Sequence, residues 1–502
     1  MSSDKPEGDK TGTKAGTAEV AKPAEKLETE KECAPPIVTH HKVRVGGKTL
    51  AYTVTTGLMP IKTDAGEKEA EIFFMAYTLS LGDSTADRPV MFSFNGGPGS
   101  SSVWLHMGAL GPRRVKMRED GSLPPPPYRM EDNALTWLEH TDLVFIDPVG
   151  TGYSRPAKPE DGKKFWNVQG DIGSVAEFIR LYLTRYQRWN SPLFLVGESY
   201  GTTRAAGLSD HLIEKGIALN GIALISSVLN FQTLMFDAGN DLPYILFLPT
   251  YAATAWYHKK LASDLQGDLQ QTLNEVEAWA QTDFSVALAK GSSLSETERS
   301  KIADQLVRFT GLERRFILQC NLRVEIHRFC SELLREEGRT VGRLDSRIDS
   351  AHMPTAAEKP DFDPSMTAIR PPYTAVFNDY VRRDLGFEID REYFILGGGI
   401  QNAWEWGGTM GYVDTSAALE KAFAKNPYMK LFVASGYYDL ATPFAATRYT
   451  IGHMNVTQDV RENIRTADYE AGHMMYIHTD SLRRLKTDIA EFIEFALADS
   501  TA

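Results

Sequence analysis

The stretch Pro192-Leu-Phe-Leu-Val-Gly-Glu-Ser-Tyr-Gly201 decides the fold of this chain. Its first five residues form an apolar run typical of a buried strand, and residues 202–215 continue with a helical pattern. Ser199 therefore lies on a tight turn between a strand and a helix, an arrangement known as a nucleophile elbow. Glycines two positions before and after the serine fit that turn, because a side chain at either place would collide with the neighbouring strand or helix.

A serine on such a turn needs a base and a carboxylate that orients the base, and in this architecture the chain order is Ser, Asp or Glu, His. Asp439 lies on a loop after the apolar run 429–434, at the strand end where ligands and catalytic groups of a parallel sheet collect. His473 follows a glycine on the loop between a predicted strand at 463–467 and a closing helix at about 481–498. Simpler interpretations stay open, with Asp439 as a cap for the next segment and His473 as an ordinary surface or core histidine.

Acyl transfer also requires backbone N–H groups aimed at the developing negative charge, and a glycine-rich loop after an earlier strand can supply them. Residues 89–94 read as that strand, and Asn95-Gly-Gly-Pro-Gly-Ser-Ser-Ser102 as the loop. The loop could instead cradle a phosphate, but no Gly-Lys-Ser/Thr follows it and Pro98 removes one N–H donor. The pattern favours acyl transfer.

Together these segments resemble the serine carboxypeptidase family of α/β-hydrolases, from about residue 70 to the C-terminus. The resemblance is carried by Asn95-Gly-Gly-Pro-Gly-Ser-Ser-Ser102, Leu143-Val-Phe-Ile-Asp-Pro-Val-Gly-Thr-Gly-Tyr-Ser154, Gly197-Glu-Ser-Tyr-Gly201, residues 436–439 and Ala471-Gly-His-Met474. It implies an α/β-hydrolase fold with a mostly parallel central sheet flanked by helices. It also implies that Ser199 is the nucleophile, His473 the base and Asp439 its partner. The N–H groups of Gly97 and Tyr200 would form the oxyanion hole.

The resemblance further implies that Asn95 and Glu198 bind the C-terminal carboxylate of a peptide substrate. Two carboxylates cannot share a hydrogen bond unless one of them is protonated, so Glu198 has to carry a proton in the productive complex. A mildly acidic working pH follows from that requirement. The alternative is that Glu198 is an incidental exposed charge.

Two family positions in the carboxylate-binding network differ here, since Ser93 stands where the family usually has Trp and Ala109 where it usually has Glu. These two departures predict only a weak preference for substrates with a free C-terminus. Arg113 and Arg114 follow closely, and a guanidinium could bind a carboxylate bidentately. Adjacent arginines are also typical of a solvated surface.

Composition is that of an ordinary globular protein, with 502 residues of which 42% are hydrophobic and 24% charged. A formal net charge of −12 argues against nucleic acid and anionic membranes as partners. No apolar run reaches the 18 residues typical of a membrane-spanning helix. We predict a peptide substrate and neither a metal nor a cofactor, and the oligomeric state stays open.

Residues 1–36 are rich in Lys, Glu, Ala, Thr and Pro and lack the apolar core of a signal peptide, so a disordered polar tail is predicted. The three cysteines, Cys33, Cys320 and Cys330, fit a reducing cytoplasm. They fit equally an exported protein whose signal has been removed, and the compartment stays open. Cys320 and Cys330 could pair, but their spacing on a predicted helical segment favours free buried thiols.

About 200 residues separate the strand at 221–225 from the strand that leads to Asp439, too many for one loop. We predict a catalytic domain of residues 37–229 and 429–502, interrupted by a largely helical cap at 230–428. A capping box, Ser295-Glu-Thr-Glu298, opens one of the cap helices. Five aromatic residues of the insertion could line a substrate cleft or pack the cap's own core: Tyr251, Trp256, Tyr257, Trp404 and Trp406.

The sequence thus predicts an α/β-hydrolase with a helical cap that acts as a serine peptidase on C-terminal peptide bonds through an acyl-enzyme. The same machinery acting on esters or in acyl transfer is the first alternative, because two carboxylate ligands of the family are missing. A catalytically inactive binding protein is the second.

Overall fold

The computed structural model describes residues 34–80, 88–351, 357–407 and 411–498. The predicted polar tail lies outside the described residues except for 34–36, which have no regular structure, and Cys33 lies outside them too. The first strand begins directly afterwards, at Ile37.

Fourteen strands lie in the described residues, and most of them belong to one central sheet. The strands are β1 Ile37–Val45, β2 Lys48–Lys62, β3 Lys68–Leu79, β4 Val90–Phe94, β5 Arg113–Val115, β6 Met130–Asp132, β7 Asp142–Ile146, β8 Arg155–Pro156, β9 Leu193–Ser199, β10 Gly221–Ser227, β11 Arg339–Val341, β12 Asp349–Ala351, β13 Lys430–Gly436 and β14 Ile464–Tyr469. The order in the main sheet is β1-β2-β3-β7-β4-β9-β10-β13-β14, and β8 pairs with β3.

Six neighbouring strands of the main sheet run parallel to one another: β7, β4, β9, β10, β13 and β14. The other three strands of this order, β1, β2 and β3, pair antiparallel with their neighbours. Every residue of β4 and of β13 is buried, since helices cover both faces of the parallel part. The edge strand β1 alternates between exposed and less exposed residues, because only one of its faces is covered. The hairpin of β1 and β2 turns at Gly46 and Gly47, both with positive φ, and Val45 pairs with Lys48.

Fifteen α-helices lie in the described residues. They are α1 Val103–Leu105, α2 Val168–Arg185, α3 Tyr200–Glu214, α4 Leu242–Tyr257, α5 Leu269–Trp279, α6 Ser285–Lys290, α7 Glu296–Thr310, α8 Arg314–Gln319, α9 Ile326–Glu332, α10 Pro364–Arg383, α11 Ile400–Ala403, α12 Ser416–Lys425, α13 Phe444–His453, α14 Gln458–Glu462 and α15 Thr479–Leu497. One face of the sheet packs against α2, α3 and α12, and the other against α10 and α15. This is the predicted α/β-hydrolase architecture.

A third hydrophobic cluster lies away from the sheet and is built mainly from α4 to α9. The predicted capping box is present at the start of α7, where Ser295 and Glu298 exchange hydrogen bonds. Cys320 and Cys330 lie in this cluster as free, buried thiols. Part of the predicted cap insertion is not separate from the sheet, because α10 and α12 pack against it. The limits of the cap at 230 and 428 remain a prediction.

Each helix among the described residues is too short or too polar to cross a membrane.

Candidate active site

The predicted elbow is formed by the end of β9 and the start of α3, with Ser199 between them at φ +59° and ψ −132°. This left-handed conformation is unusual for a residue with a side chain and marks a functional turn. A Cβ on Gly197 would lie 2.2 Å from the carbonyl oxygen of Gly201, and one on Gly201 would lie 2.9 Å from that of Phe94. Both glycines are therefore required for close packing. The helix starts at Tyr200, directly after the serine and two residues earlier than the sequence pattern indicates.

The side chains of Asp439 and His473 meet in the structure, with 2.7 Å between Asp439 Oδ2 and His473 Nδ1, and both are buried. The histidine loop is held at the elbow, since Ser226 Oγ donates a 2.6 Å hydrogen bond to the carbonyl oxygen of His473. The next residue, Ser227, is the β10 partner of Ser199 in the sheet. Ser199 thus lies at the carboxyl end of β9, and Asp439 and His473 follow the carboxyl ends of the adjacent strands β13 and β14, with only β10 between β9 and β13.

Asp439 is fixed by donors from its own loop. Its Oδ1 accepts hydrogen bonds from the N–H groups of Ala441 at 2.7 Å and Thr442 at 3.0 Å, and its Oδ2 accepts one from the Thr442 hydroxyl at 2.7 Å. The carboxylate therefore has one orientation toward His473. With Nδ1 donating to Asp439, Nε2 is the nitrogen of a neutral His473 that is able to accept a proton.

Burial by itself lowers the pKa of His473, but the charge and hydrogen bond of Asp439 outweigh it, so the pKa lies above its ordinary value. Glu198 also raises the pKa of this histidine. The raised pKa makes His473 a stronger base, which can accept a proton at any pH high enough to keep its imidazole neutral.

The glycine-rich loop packs directly on the elbow. A Cβ on Gly96 would lie 2.4 Å from the backbone nitrogen of Tyr200 and 2.8 Å from the carbonyl oxygen of Glu198. Gly97 follows at φ +103°, a conformation that a side chain would disfavour. The backbone of this loop and the first N–H of α3 thus lie side by side, as an oxyanion hole requires.

The described structure reveals a buried ion pair beneath the loop that the sequence pattern does not indicate. Arg204 on α3 donates from Nη1 to the carbonyl oxygen of Asn95 at 2.7 Å and from Nε to Asp171 Oδ2 at 2.8 Å. All three residues are almost completely buried. The signal in the sequence is only an arginine on an otherwise buried helix face, which does not identify its partners.

Glu198 is buried next to the elbow, so it is not an exposed charge. Burial, more than any other influence, raises its pKa to about 7, although His473, Tyr476 and Asn95 oppose the rise. The Tyr476 hydroxyl donates to Glu198 Oε2 at 2.6 Å, a contact that the sequence analysis missed. Asn95 Oδ1 accepts from the N–H of Leu105 at 3.0 Å, while its Nδ2 is buried without a well-formed hydrogen bond within the described protein.

The two arginines proposed from the sequence lie on β5, opposite β6. Arg113 pairs with Asp132, and Arg114 Nε lies 3.4 Å from Glu131. Each therefore has a carboxylate partner inside the protein. Ser93 and Ala109 are both buried, and the Ser93 hydroxyl makes no hydrogen bond to any described residue.

The aromatic residues of the insertion divide into two groups. Tyr251 is buried in the third cluster and stacks on Phe329 at 4.0 Å between ring centroids. Trp404 and Trp406 instead contact the Tyr200 ring edge to face, with centroid distances of 5.2 and 6.0 Å. The second group thus borders the elbow.

Within the described part of the chain, no group of three or more His, Cys, Asp or Glu side chains is arranged to hold a metal ion.

A serine on a strand-to-helix elbow of a mostly parallel sheet, with a paired histidine and aspartate on the loops after two later strands, defines an α/β-hydrolase. The chain belongs to the serine carboxypeptidase family, whose model matches residues 47–486.

Two curated relatives illustrate the likeness. Serine carboxypeptidase-like 8 of Arabidopsis thaliana is 28% identical over 221 residues, which are 43% of this chain and 46% of the relative. Pheromone-processing carboxypeptidase KEX1 of Saccharomyces cerevisiae is 33% identical over 155 residues, 29% of this chain and 20% of the relative. The chain thus spans less than half the length of these two relatives.

Among solved structures, the prohormone-processing carboxypeptidase KEX1(delta)p from Saccharomyces cerevisiae superposes with a TM-score of 0.53 at 15% identity. The match covers 88% of this chain and 91% of the other. At that identity the likeness supports the fold.

Proposed function

We propose that this protein is a serine carboxypeptidase that removes C-terminal residues from peptides through an acyl-enzyme. The observation that carries the proposal is Glu198, a buried carboxyl with a pKa of about 7, which directly precedes the elbow serine and is near enough to the Asp439–His473 pair for both to act on its charge. A carboxyl group that holds its proton in this pH range can donate a hydrogen bond to the free C-terminal carboxylate of a peptide.

In the proposed reaction, His473 Nε2 takes the proton of the Ser199 hydroxyl as its oxygen attacks the scissile carbonyl carbon. Asp439 keeps the imidazole oriented and stabilises the imidazolium. The N–H groups of Gly97 and Tyr200 bind the oxyanion, and the imidazolium then gives its proton to the leaving amine. Water hydrolyses the acyl-enzyme with His473 again as base.

The leaving residue carries a free carboxylate, for which protonated Glu198 and Asn95 Nδ2 are the proposed donors. Both groups are buried, so each donates in surroundings where a charged hydrogen bond is strong. A substrate carboxylate should be bound more weakly once Glu198 loses its proton, because Asn95 Nδ2 is then the remaining donor and the ionised Glu198 repels the substrate.

Ester hydrolysis or acyl transfer by the same residues is the second candidate. It is favoured by Ser93 and Ala109, two buried residues that supply neither the indole nor the carboxyl that the family usually has at these positions.

The test compares an N-blocked dipeptide with a free C-terminus, the same dipeptide amidated, and an N-blocked amino-acid ester. We expect kcat/KM for the free acid to exceed that for the amide by about tenfold below pH 7, on the scale of one hydrogen bond to a charge. A fluorophosphonate should label the protein and fail to label Ser199→Ala. Cleavage of the ester alone would favour the second candidate, and absence of labelling would contradict both.

A further inference from the structure

We infer that Tyr476 is a positioning residue that orients the Glu198 carboxyl and decides which of its oxygens carries the proton offered to a substrate carboxylate. The inference deepens the proposed function and rests on it. Three observations carry it: the direct contact between Tyr476 and Glu198, the close packing of the phenol ring, and the set of groups around Glu198.

The contact is a 2.6 Å hydrogen bond from the Tyr476 hydroxyl to Glu198 Oε2, with both residues buried. Tyr476 lies on the 3₁₀ turn Met475–Ile477, three residues after His473. The loop that presents the predicted base therefore also holds the predicted carboxylate-binding acid. A change in this loop would move both groups together.

The Tyr476 ring packs against the turn of π-helix at His106–Leu110. A Cβ on Gly108 would lie 2.4 Å from Tyr476 Cε2 and 2.6 Å from the hydroxyl oxygen of Tyr373. Only glycine leaves room for the two phenols at this position. The Tyr476 ring is consequently packed against backbone on one side while its hydroxyl contacts Glu198.

Several groups act on the charge of Glu198. Burial disfavours the ionised form, and the nearby Asp439 carboxylate disfavours it further. His473, the hydrogen bond from Tyr476 and the nearby Asn95 amide favour it. Tyr373 is near enough for Glu198 to raise the pKa of that phenol, so it faces the same acid.

The proton of Tyr476 stays on its oxygen over the working range. Burial, and after it the charge of Glu198, raise the pKa of Tyr476 well above its ordinary value. The phenol therefore donates to Oε2 at every relevant pH. In a carboxylic acid the carbonyl oxygen is the better acceptor, so Oε2 stays the carbonyl oxygen and the acid proton resides on Oε1.

Removal of the phenol oxygen has two separable consequences. The ionised form of Glu198 loses a stabilising donor, so the carboxyl should hold its proton to higher pH. The protonated form loses its orientation, so it should bind a carboxylate less tightly even at low pH. A purely structural role for Tyr476 predicts neither a shift in protonation nor a difference between free-acid and amidated ligands.

The experiment measures proton uptake on ligand binding by calorimetry in buffers of different ionisation enthalpy, with Ser199→Ala protein so that no cleavage occurs. The ligands are an N-blocked dipeptide and its C-terminal amide. At pH 8, binding of the free acid should take up about one proton, because Glu198 is then mostly ionised before binding, and the amide should take up none.

In the double variant Ser199→Ala/Tyr476→Phe, proton uptake on binding of the free acid at pH 8 should be about half that of Ser199→Ala or less. At pH 5 the double variant should bind the free acid about tenfold more weakly than Ser199→Ala does. The matched control is Tyr469→Phe, which removes a buried phenol that donates to Asp488 instead. It should leave proton uptake unchanged. Equal uptake in Tyr476→Phe and its parent, or an equal change in Tyr469→Phe, would overturn the inference.

Site-specific replacement of Tyr476 by 3-fluorotyrosine is a second variant, which keeps the hydroxyl group and whose single fluorine can lie on the ring edge away from Gly108, so it should fold even if Tyr476→Phe does not. The more acidic phenol is a stronger donor, so Glu198 should be more ionised at pH 7 and proton uptake there should rise. No rise would overturn the inference. Failure of the unmodified protein to cleave any of the substrates would instead contradict the proposed function, since proton uptake does not depend on cleavage.

Discussion

Arg204 donates a 2.7 Å hydrogen bond to the carbonyl oxygen of Asn95, which ties the helix behind the nucleophile to the glycine-rich loop in front of it. The guanidinium is 2.8 Å from Asp171 and lies over the rings of Phe94 and Tyr200, at 5.1 and 5.3 Å from their centroids. Its position beneath the loop allows it to hold the predicted oxyanion donors at a fixed distance from Ser199.

Replacement of Arg204 should therefore impair catalysis as well as stability. In Arg204→Met we expect kcat to fall about 10²-fold with a smaller change in KM, because a displaced loop weakens transition-state binding. The free energy of unfolding should fall by about 3 kcal/mol, since Asp171 is left buried and unpaired. Steady-state kinetics and urea unfolding check both values.

The double variant Arg204→Met/Asp171→Leu separates these two effects. Removal of the unpaired carboxylate should restore most of the stability, but kcat should stay low because the Asn95 carbonyl remains unanchored. Recovery of kcat along with stability would show that Arg204 does not position the loop.

Gly96→Ala tests the packing of the loop on the elbow. The added Cβ would lie within 3 Å of three backbone atoms of residues 198, 200 and 201, none of which can rotate away. We expect kcat to fall by at least about 10²-fold and the unfolding free energy by about 1–3 kcal/mol, as for other overpacked cores. Gly173→Ala, where a Cβ meets nothing within 4 Å, is the control: it should leave kcat unchanged and, since Gly173 lies inside α2, should raise the unfolding free energy by up to about 1 kcal/mol.

Substitution of the predicted triad should abolish most turnover without unfolding the protein. We expect Ser199→Ala and His473→Ala to lower kcat by about 10³–10⁶-fold and Asp439→Asn by somewhat less. His453→Ala, at the exposed end of α13, is the histidine control. Near-normal turnover in any of the three variants, with circular dichroism unchanged, would remove that residue from its proposed role.

The pH dependence should differ between free-acid and amidated substrates. For the free acid, kcat/KM should fall above about pH 7, because Glu198 loses the proton that it donates, and the amide should show no such fall. Glu198→Gln keeps a donor at every pH and should flatten this alkaline limb. An alkaline limb that persists in Glu198→Gln would contradict proton donation by Glu198.

The same variant should change the acid limb for the amide, whose cleavage does not require Glu198 to be protonated. Activity rises with pH as His473 becomes neutral, and the charge of Glu198 contributes to raising the pKa of that histidine. Without this charge the rise should occur at lower pH. Initial rates from about pH 4 to 9 on both substrates measure the two limbs, which report a coupled pair of groups.

The residues of the elbow show what the sequence by itself determined. The glycines at 197 and 201, the apolar run before them and the helical pattern after them are local signals, because each reflects the backbone conformation or burial of neighbouring residues. The same holds for the hairpin at Gly46 and Gly47 and for the capping box at Ser295. Chain order then indicated Asp439 and His473, since catalytic groups of this fold follow its strands.

Only the tertiary structure decided which distant side chains meet. The Tyr476–Glu198 contact joins residues 278 positions apart, and the Arg204–Asn95 contact joins residues 109 apart. Trp404 borders Tyr200 while Tyr251 packs within the cap cluster, although the two have the same aromatic character in the sequence. Hydrophobicity and propensity specify that a residue is buried or helical, but its partner depends on how the completed elements pack.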